Sequence, residues 1–416
     1  MSLDPETRTA LDALYDPASV AVVGASPDSW YASNTVDHLL EYGYDGALHL
    51  VNPGRDEAWG RACHDSITDV PEVVDLAVVS VPRQYVVDVV RDAGEMGVPV
   101  ALVITAGFGE ADAEGEASEA ELAATARDAD IRVVGPNCIG FASGRTSTVL
   151  TPTCSRKPEP GRIGLASQSG ALAFATFYER GADADVNFAY VVSTGNEADL
   201  SVTDHVAYMA DDPDVDVVCA YVEGVDDPRR FVQTAREATR SGTPVLVAKI
   251  GRSEAGRAAA ASHTGSITGV DAVWDGALRQ VGAERVPDVP DLVERASVHA
   301  AFDPPAGDRV CVASTSGGLA TLLADLCEER GLSMPALSEE TEGALLDMED
   351  LLTFGEMHNP ADIRGYGADV IGEIADLLFA DDYDAYLFAV GLSAVDERAS
   401  QTADALIDVV DRAEKP

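Results

Sequence analysis

Short β-branched runs alternate with amphipathic stretches almost from one end of this chain to the other, and that rhythm limits the fold more than any other feature. "SVAVVGAS" (19–26), "ALHLVNP" (47–53), "LAVVSVP" (76–82), "VALVITAGF" (100–108) and "IRVVGPNCIG" (131–140) read as strands, with helical patterns such as 83–97 and 115–129 between them. Near-continuous apolar strands joined by helices need cover on both faces, which means parallel α/β sheets. The first set reads as a Rossmann-like domain over residues 1–145. A linker rich in Pro and Gly, "PTCSRKPEPG" (152–161), leads into a second α/β domain over 146–303, with strands near 162–167, 188–193, 216–223 and 244–249. "AAFDPPAGD" (300–308) marks the next break. A third domain, 304–416, opens with "RVCVAS" (309–314) and contains "AYLFAVG" (385–391). Several domains are also what 416 residues lead one to expect.

The second and third domains begin alike. "ASQSGALA" (166–173) and "ASTSGGLA" (313–320) agree at six of eight positions, 147 residues apart, each where a strand turns into a helix. An internal duplication is the simplest account. The chain stops at "DRAEKP", where one more strand is expected. Either the third sheet is small or a longer polypeptide continues.

Charge narrows the partners. There are 72 acids against 28 bases, a net charge of −44, and only three lysines, Lys157, Lys249 and Lys415. Such a chain repels itself in dilute buffer, whereas at molar salt the Debye length falls to about 3 Å. The acids run along the whole chain, so they read as the surface of a halophilic protein; nucleic acid and anionic membrane are excluded as partners. No run approaches the roughly 18 apolar residues of a membrane span. The acidic N-terminus does not resemble a signal peptide. Six cysteines lie far apart without a C-x-x-C pair, which points to reduced thiols in the cytoplasm and no metal site.

Four places carry chemistry. "GASPDS" (24–29) lacks the G-x-G-x-x-G of a dinucleotide fold, and the next strand ends in Asn52-Pro53 where an NAD enzyme needs an acid for the ribose. A nucleotide-like ligand fits this turn, as does an ordinary α/β connection. "SQSGA" (167–171) sets two hydroxyls and a glycine at a helix start, either an anion site or a plain N-cap. Glu223 ends an apolar strand, facing the crevice where α/β domains bind ligands. Among so many acids, a solvated surface group is the alternative. His263, one of seven histidines, lies in "AAAASHTGSITG" (258–269), among neighbours too small to cover it. One domain thus supplies an anion site, a strand-end acid and an accessible imidazole, which the acid can orient for attack on phosphorus.

In this order the motifs resemble those of the NDP-forming acyl-CoA synthetases, which include ADP-forming acetyl-CoA synthetase and, more distantly, succinyl-CoA synthetase. "GASPDS", "LVNP", "SVP", "ITAGF" and "GPNCIG" resemble the CoA-contacting turns of the family's first domain. "SQSGA", "STGNEAD" (193–199), "YVEGV" and "SEAGRAAAASHTGSITG" (253–269) resemble its second, and "STSGGLA" and "NPADI" (359–363) its third. The resemblance implies a Rossmann-like CoA-binding domain followed by two flavodoxin-like succinyl-CoA-synthetase-type domains. It implies CoA contacts at Gly24, Ala25, Ser26, Asn52, Pro53, Val81, Pro82, Thr105, Ala106, Gly107 and Asn137. Ser167, Gln168, Ser169 and Gly170 would cradle phosphate, His263 would carry the phosphoryl group, and Glu223 would orient it. Coenzyme A is then a substrate, and ADP/ATP with Mg2+ belongs to an ATP-grasp (β-type) subunit or C-terminal domain, in a hetero-oligomer. Trp30-Tyr31 departs from the family's small and basic residues, and Arg55 and Arg83 are the candidate replacements for phosphate contacts. Two rival readings remain: a non-catalytic CoA- or nucleotide-sensing regulatory subunit of the same fold, and an NAD-dependent oxidoreductase, which the first two turns disfavour.

Overall fold

A computed structural model describes residues 3–256, 271–348, 357–363, 370–391 and 397–413. They form two compact units, Met1–Ala300 and Ala301–Pro416. The first unit contains two seven-stranded sheets. In the first sheet β1 (Ser19–Val23), β2 (Ala47–Val51), β3 (Glu57–Ala58), β4 (Arg61–His64), β5 (Leu76–Val79), β6 (Val100–Val103) and β7 (Arg132–Val134) take the order β3-β4-β2-β1-β5-β6-β7. All pairs are parallel except the β3–β4 hairpin. β1, β5 and β6 are buried at every residue, as strands covered on both faces must be.

The second sheet runs β14-β13-β12-β10-β11-β8-β9, with β8 (Phe141–Ser143), β9 (Val149–Leu150), β10 (Ile163–Ser167), β11 (Phe188–Ser193), β12 (Val217–Val222), β13 (Val245–Lys249) and β14 (Glu284–Arg285). Its parallel core matches the strands expected near 162–167, 188–193, 216–223 and 244–249. β8 lies within the first 145 residues, but it does not extend the first sheet. Instead the chain leaves the first sheet at Val134, and Phe141–Ser143 pairs antiparallel with β11. The Phe141 ring is fully buried, edge-on to Tyr15 at 5.5 Å.

One hydrophobic core runs through both sheets, from Val20, Leu76 and Leu102 to Ala166, Val192, Val218 and Phe231. The crossing is also stitched by backbone: Asn196 N–H donates to the Pro136 carbonyl (2.9 Å) and Ala198 N–H to Gly135 (3.0 Å). Arg132 clasps the Asp199 carboxylate with two bonds, at 2.8 and 2.9 Å. The helix Ala113–Asp128 buries only Gly115, Leu122 and Ala126 and exposes Glu114 and Glu116.

In the second unit, β15 (Val310–Ser314) is central, between β16 (Ala361–Asp362) and β17 (Ala385–Ala389), all parallel. A helix, Gly317–Glu329, follows β15. The repeated turns therefore occupy equivalent places: each leaves a central strand and opens a helix.

Candidate active site

Each sheet of the first unit has a point where strand order reverses. In open α/β sheets, ligands bind in the crevice there, beyond the carboxyl ends of the strands. In the first sheet the reversal lies between β1 and β5. Gly24 leaves β1 at φ +90°, and a Cβ on it would sit 2.3 Å from the Ser80 carbonyl oxygen. Only glycine lets these two strand ends approach so closely. Asn52, after β2, donates to the Ala25 carbonyl (2.8 Å) and accepts from Gly54 N–H (2.9 Å). Its amide is engaged in shaping the turn. The Thr105 hydroxyl, after β6, donates to the Val81 carbonyl (2.7 Å), and Asn137 N–H donates to the Thr105 carbonyl (3.0 Å). The expected CoA-contacting residues Gly24, Ala25, Ser26, Asn52, Pro53, Val81, Pro82, Thr105, Ala106, Gly107 and Asn137 thus lie at the carboxyl ends of neighbouring strands. Arg83 donates to the Gly107 carbonyl (2.6 Å) and pairs with Glu114 (3.0 Å); Arg55 pairs with Asp28. Either arginine would exchange an acid for a phosphate on binding one.

In the second sheet the reversal lies between β10 and β12. The Ser167 hydroxyl donates to the Ser169 carbonyl (2.8 Å) and accepts from Ser169 N–H (3.2 Å), which folds the turn on itself. Helical structure starts at Gly170 and passes through a π-helical stretch, Leu172–Tyr178. Gly170 is required by proximity, since a Cβ there would meet the Ile139 side chain at 2.8 Å. Gln168 spans the reversal. Its Nε2 donates to the Gly224 carbonyl (2.6 Å), and its Oε1 accepts from the N–H groups of Glu223 (2.6 Å) and Gly224 (3.1 Å). Glu223 is buried, at 4% exposure, and so is not one of the solvated surface acids. His263 and the helix expected to begin near Ser266 lie outside the described residues.

The carboxyl ends of β5, β6 and β7 meet those of β10 and β11. A cavity of about 310 Å³ is lined by Thr105, Ala106 and Asn137 from the first half and by Gln168, Ser169 and Gly170 from the second. Tyr31, Ile104 and Ile139 close its apolar side, and among the described residues no charged side chain lines it.

Two functional-looking residues escape a reading of the sequence. Lys249, at the end of β13, is buried, with Nζ donating to the Glu223 carbonyl (2.7 Å) and to that of Ile250, and 5.6 Å from the Trp274 ring centre. Burial, and then the nearby Arg285, lower its pKa to about 8. A lysine closing an apolar strand in so lysine-poor a chain is the available signal. Glu197, in the turn after β11, accepts from the Thr194 hydroxyl (2.7 Å) and Val202 N–H (2.8 Å), and desolvation pushes its carboxyl up to about 7. Among the described residues, no group of three or more His, Cys, Asp or Glu side chains is arranged to hold a metal ion, and no helix is long and apolar enough to cross a membrane.

Strand-end turns of two parallel sheets opening on one cavity define an α/β protein with a ligand-type crevice between its sheets. Comparison with known proteins makes the class specific. Residues 18–144 match the CoA binding domain family, and residues 160–299 match the succinyl-CoA ligase like flavodoxin domain. The chain is 36% identical over 382 residues to the ADP-forming acetate–CoA ligase I subunit alpha of Pyrococcus furiosus, covering 89% of this chain and 80% of that one. It is 37% identical over 356 residues to ADP-forming acetate–CoA ligase I of Archaeoglobus fulgidus, covering 85% of this chain and 51% of that protein. The acetyl-coenzyme A synthetase 1 of Ca. Korarchaeum cryptofilum, solved in complex with phosphate and ADP, superposes with a TM-score of 0.90 at 31% identity, over 98% of this chain and 88% of that one. The chain belongs to the family of ADP-forming acyl-CoA ligases, among their alpha subunits.

Proposed function

We propose that this chain is the CoA-binding, phosphohistidine-bearing subunit of an ADP-forming acyl-CoA synthetase, interconverting acyl-CoA, ADP and phosphate with acid, CoA and ATP. The observation that carries this reading is the shared cavity: Thr105, Ala106 and Asn137 face the same space as Gln168, Ser169 and Gly170. A thioester delivered along the first crevice and a phosphate held at the helix start would meet there. The helix start suits an anion through its unpaired N–H groups and dipole.

The chemistry balances in three steps. A phosphate oxygen attacks the thioester carbonyl; the C–O bond forms, the C–S bond breaks, and the sulfur leaves as CoA with the phosphate proton. His263 then takes the phosphoryl group from the acyl phosphate, forming P–N and releasing the carboxylate. Transfer from His263 to ADP, with Mg2+, would take place on an ATP-grasp partner, which the A. fulgidus relative, about twice as long as its matched part, has room to carry in the same chain. Glu223 would orient the imidazole and stabilise the charge that develops on it. The dispersed acids fit a halophilic cytoplasmic enzyme working in molar salt.

The test is reconstitution at high salt. Purified alone, the chain is expected to bind CoA but not NAD by calorimetry, and to make no ATP from acetyl-CoA, ADP and phosphate until an ATP-grasp partner is added. Heat for NAD without heat for CoA, or robust ATP formation by the chain alone, would overturn the assignment.

A further inference from the structure

Asn196, in the turn after β11, borders the cavity between the sheets, yet both ends of its side-chain amide are bonded to protein. Its Nδ2 donates to two carboxylates at once, Glu110 Oε2 (2.6 Å) and Glu119 Oε2 (2.7 Å), and its Oδ1 accepts from Asn137 Nδ2 (3.1 Å). Its backbone is held as closely. The Asn196 N–H donates to the Pro136 carbonyl (2.9 Å), and a Cβ on the preceding Gly195 would lie 2.2 Å from the same carbonyl oxygen. Carboxylates only accept, so the amide can face them only with its NH2. The side chain is thus committed to the protein, and its task lies in what it holds.

The two carboxylates serve one loop. Glu110 accepts from the N–H groups of Gly107 and Phe108 (3.2 Å to the second), and Glu119 accepts from that of Gly109 (3.0 Å). Three successive N–H groups of the loop after β6 are therefore taken up by two acids, and the same loop brings Thr105 and Ala106 to the cavity. Two carboxylates drawn to one place repel each other unless a donor stands between them. Burial works against the Glu110 charge, but the bonds from Asn196, Gly107 and Phe108 outweigh it and hold its carboxyl below the usual carboxylate range. The Asn196 NH2 is the donor that both acids share.

We propose that Asn196 is a positioning residue that bridges Glu110 and Glu119 and so fixes the loop 105–109 of the first half against the turn after β11 in the second. The distance between the thioester end of the cavity and its phosphate end then depends on a side chain of the second half. This rests on the CoA-binding reading above.

The experiment compares wild type with Asn196→Asp and Asn196→Ala in molar KCl, by hydrogen exchange of the peptide containing Gly107, Phe108 and Gly109 and by calorimetric titration with CoA. Molar salt screens half-buried groups at hydrogen-bond distance only weakly. Asn196→Asp keeps the size of the side chain but offers no donor and adds a third carboxylate. Asn196→Ala leaves room for a water, which can donate to both acids. With its charged acceptors left unpaired, Asn196→Asp should exchange the loop amides about tenfold faster and bind CoA about tenfold more weakly. Both effects should be smaller in Asn196→Ala, and exchange in β2 should stay at the wild-type rate. A side chain that merely fills space gives the opposite order, since aspartate is the closer match in shape. The double variant Asn196→Asp, Glu119→Gln, with one acid fewer, should recover part of the lost affinity. Alanine as damaging as aspartate, no recovery in the double variant, faster exchange spread equally to β2, or unchanged CoA affinity beside a loosened loop would each overturn the proposal. A wild type that binds no CoA would instead sink the functional reading, while the loop exchange would still judge the bridge.

Discussion

Replacing Gly24 by alanine should break the first ligand crevice, and the structure supplies its own control. At Gly24 two penalties combine. The φ of +90° disfavours any Cβ, and that Cβ would lie 2.3 Å from the Ser80 carbonyl oxygen and 2.8 Å from its carbon, both rigid backbone. Gly43, the residue that ends the helix Trp30–Tyr42, has nearly the same φ, +85°, and among the described residues nothing lies within 4 Å of an added Cβ. Gly43→Ala therefore carries only the conformational cost, about 1–2 kcal/mol. Gly24→Ala carries that cost plus the strain of forcing β1 and β5 apart by about 1 Å, roughly another 1–3 kcal/mol by analogy with overpacked cores. Denaturant unfolding in molar KCl should accordingly put Gly24→Ala about 1–3 kcal/mol below Gly43→Ala. Calorimetry should show at least about a tenfold loss of CoA affinity for Gly24→Ala and none for Gly43→Ala, since displacing the rim costs well over 1 kcal/mol of binding. Equal stabilities, or wild-type CoA binding by Gly24→Ala, would refute the assignment of the crevice to this reversal point.

Three further outcomes are expected. Glu223→Gln keeps the shape but removes the charge, so labelling of His263 should slow by at least about a hundredfold at unchanged CoA affinity; labelling at the wild-type rate would return Glu223 to the background of acids. His205 is fully buried, and desolvation lowers its pKa to about 4. The unfolded chain takes up that proton first, so stability is fully present above the unfolded pKa of about 6.5 and is lost as pH falls towards 4. The loss is about 2 kcal/mol at pH 5, and His205→Gln should lack it; identical pH profiles for mutant and wild type would refute the reasoning. Raising KCl from about 0.1 M to several molar should raise the thermal midpoint as the Debye length contracts from about 10 Å to about 3 Å, and a flat or falling midpoint would count against the halophilic reading.

The strands are legible because parallel β-strands buried on both faces leave no room for polar alternation, as in "SVAVV" and "VVCAYV". Their carboxyl ends, and so the motifs, can be placed from sequence. The hairpin β8–β9 cannot, because three residues after "GPNCIG" carry too little pattern to show that they pair backwards with β11. Gly170 is legible as part of a turn, but its reason, contact with Ile139 across the join between the halves, exists only in the folded molecule. The same holds for Glu197 and Lys249. A carboxylate in a chain with 72 acids gains meaning only from the Thr194 hydroxyl and Val202 N–H that hold it, and a strand-end lysine only from the carbonyls that converge on it. By its motif Gln168 reads as a phosphate ligand, whereas its side chain here braces β12, and its third-unit counterpart Thr315 does similar work by accepting from Gly391 N–H at 2.8 Å.

The central claim, that thioester and phosphate chemistry in one cavity ends on a histidine, is tested most directly by site-resolved labelling. The chain is incubated in molar KCl with acetyl-CoA and labelled phosphate, and the labelled peptide is identified by mass spectrometry under alkaline conditions that preserve phosphoramidates. The account predicts an acid-labile, alkali-stable label on His263 that requires acetyl-CoA and disappears in His263→Ala. Label on Ser167 or Ser169, or label on His263 that forms equally well without acetyl-CoA, would contradict it.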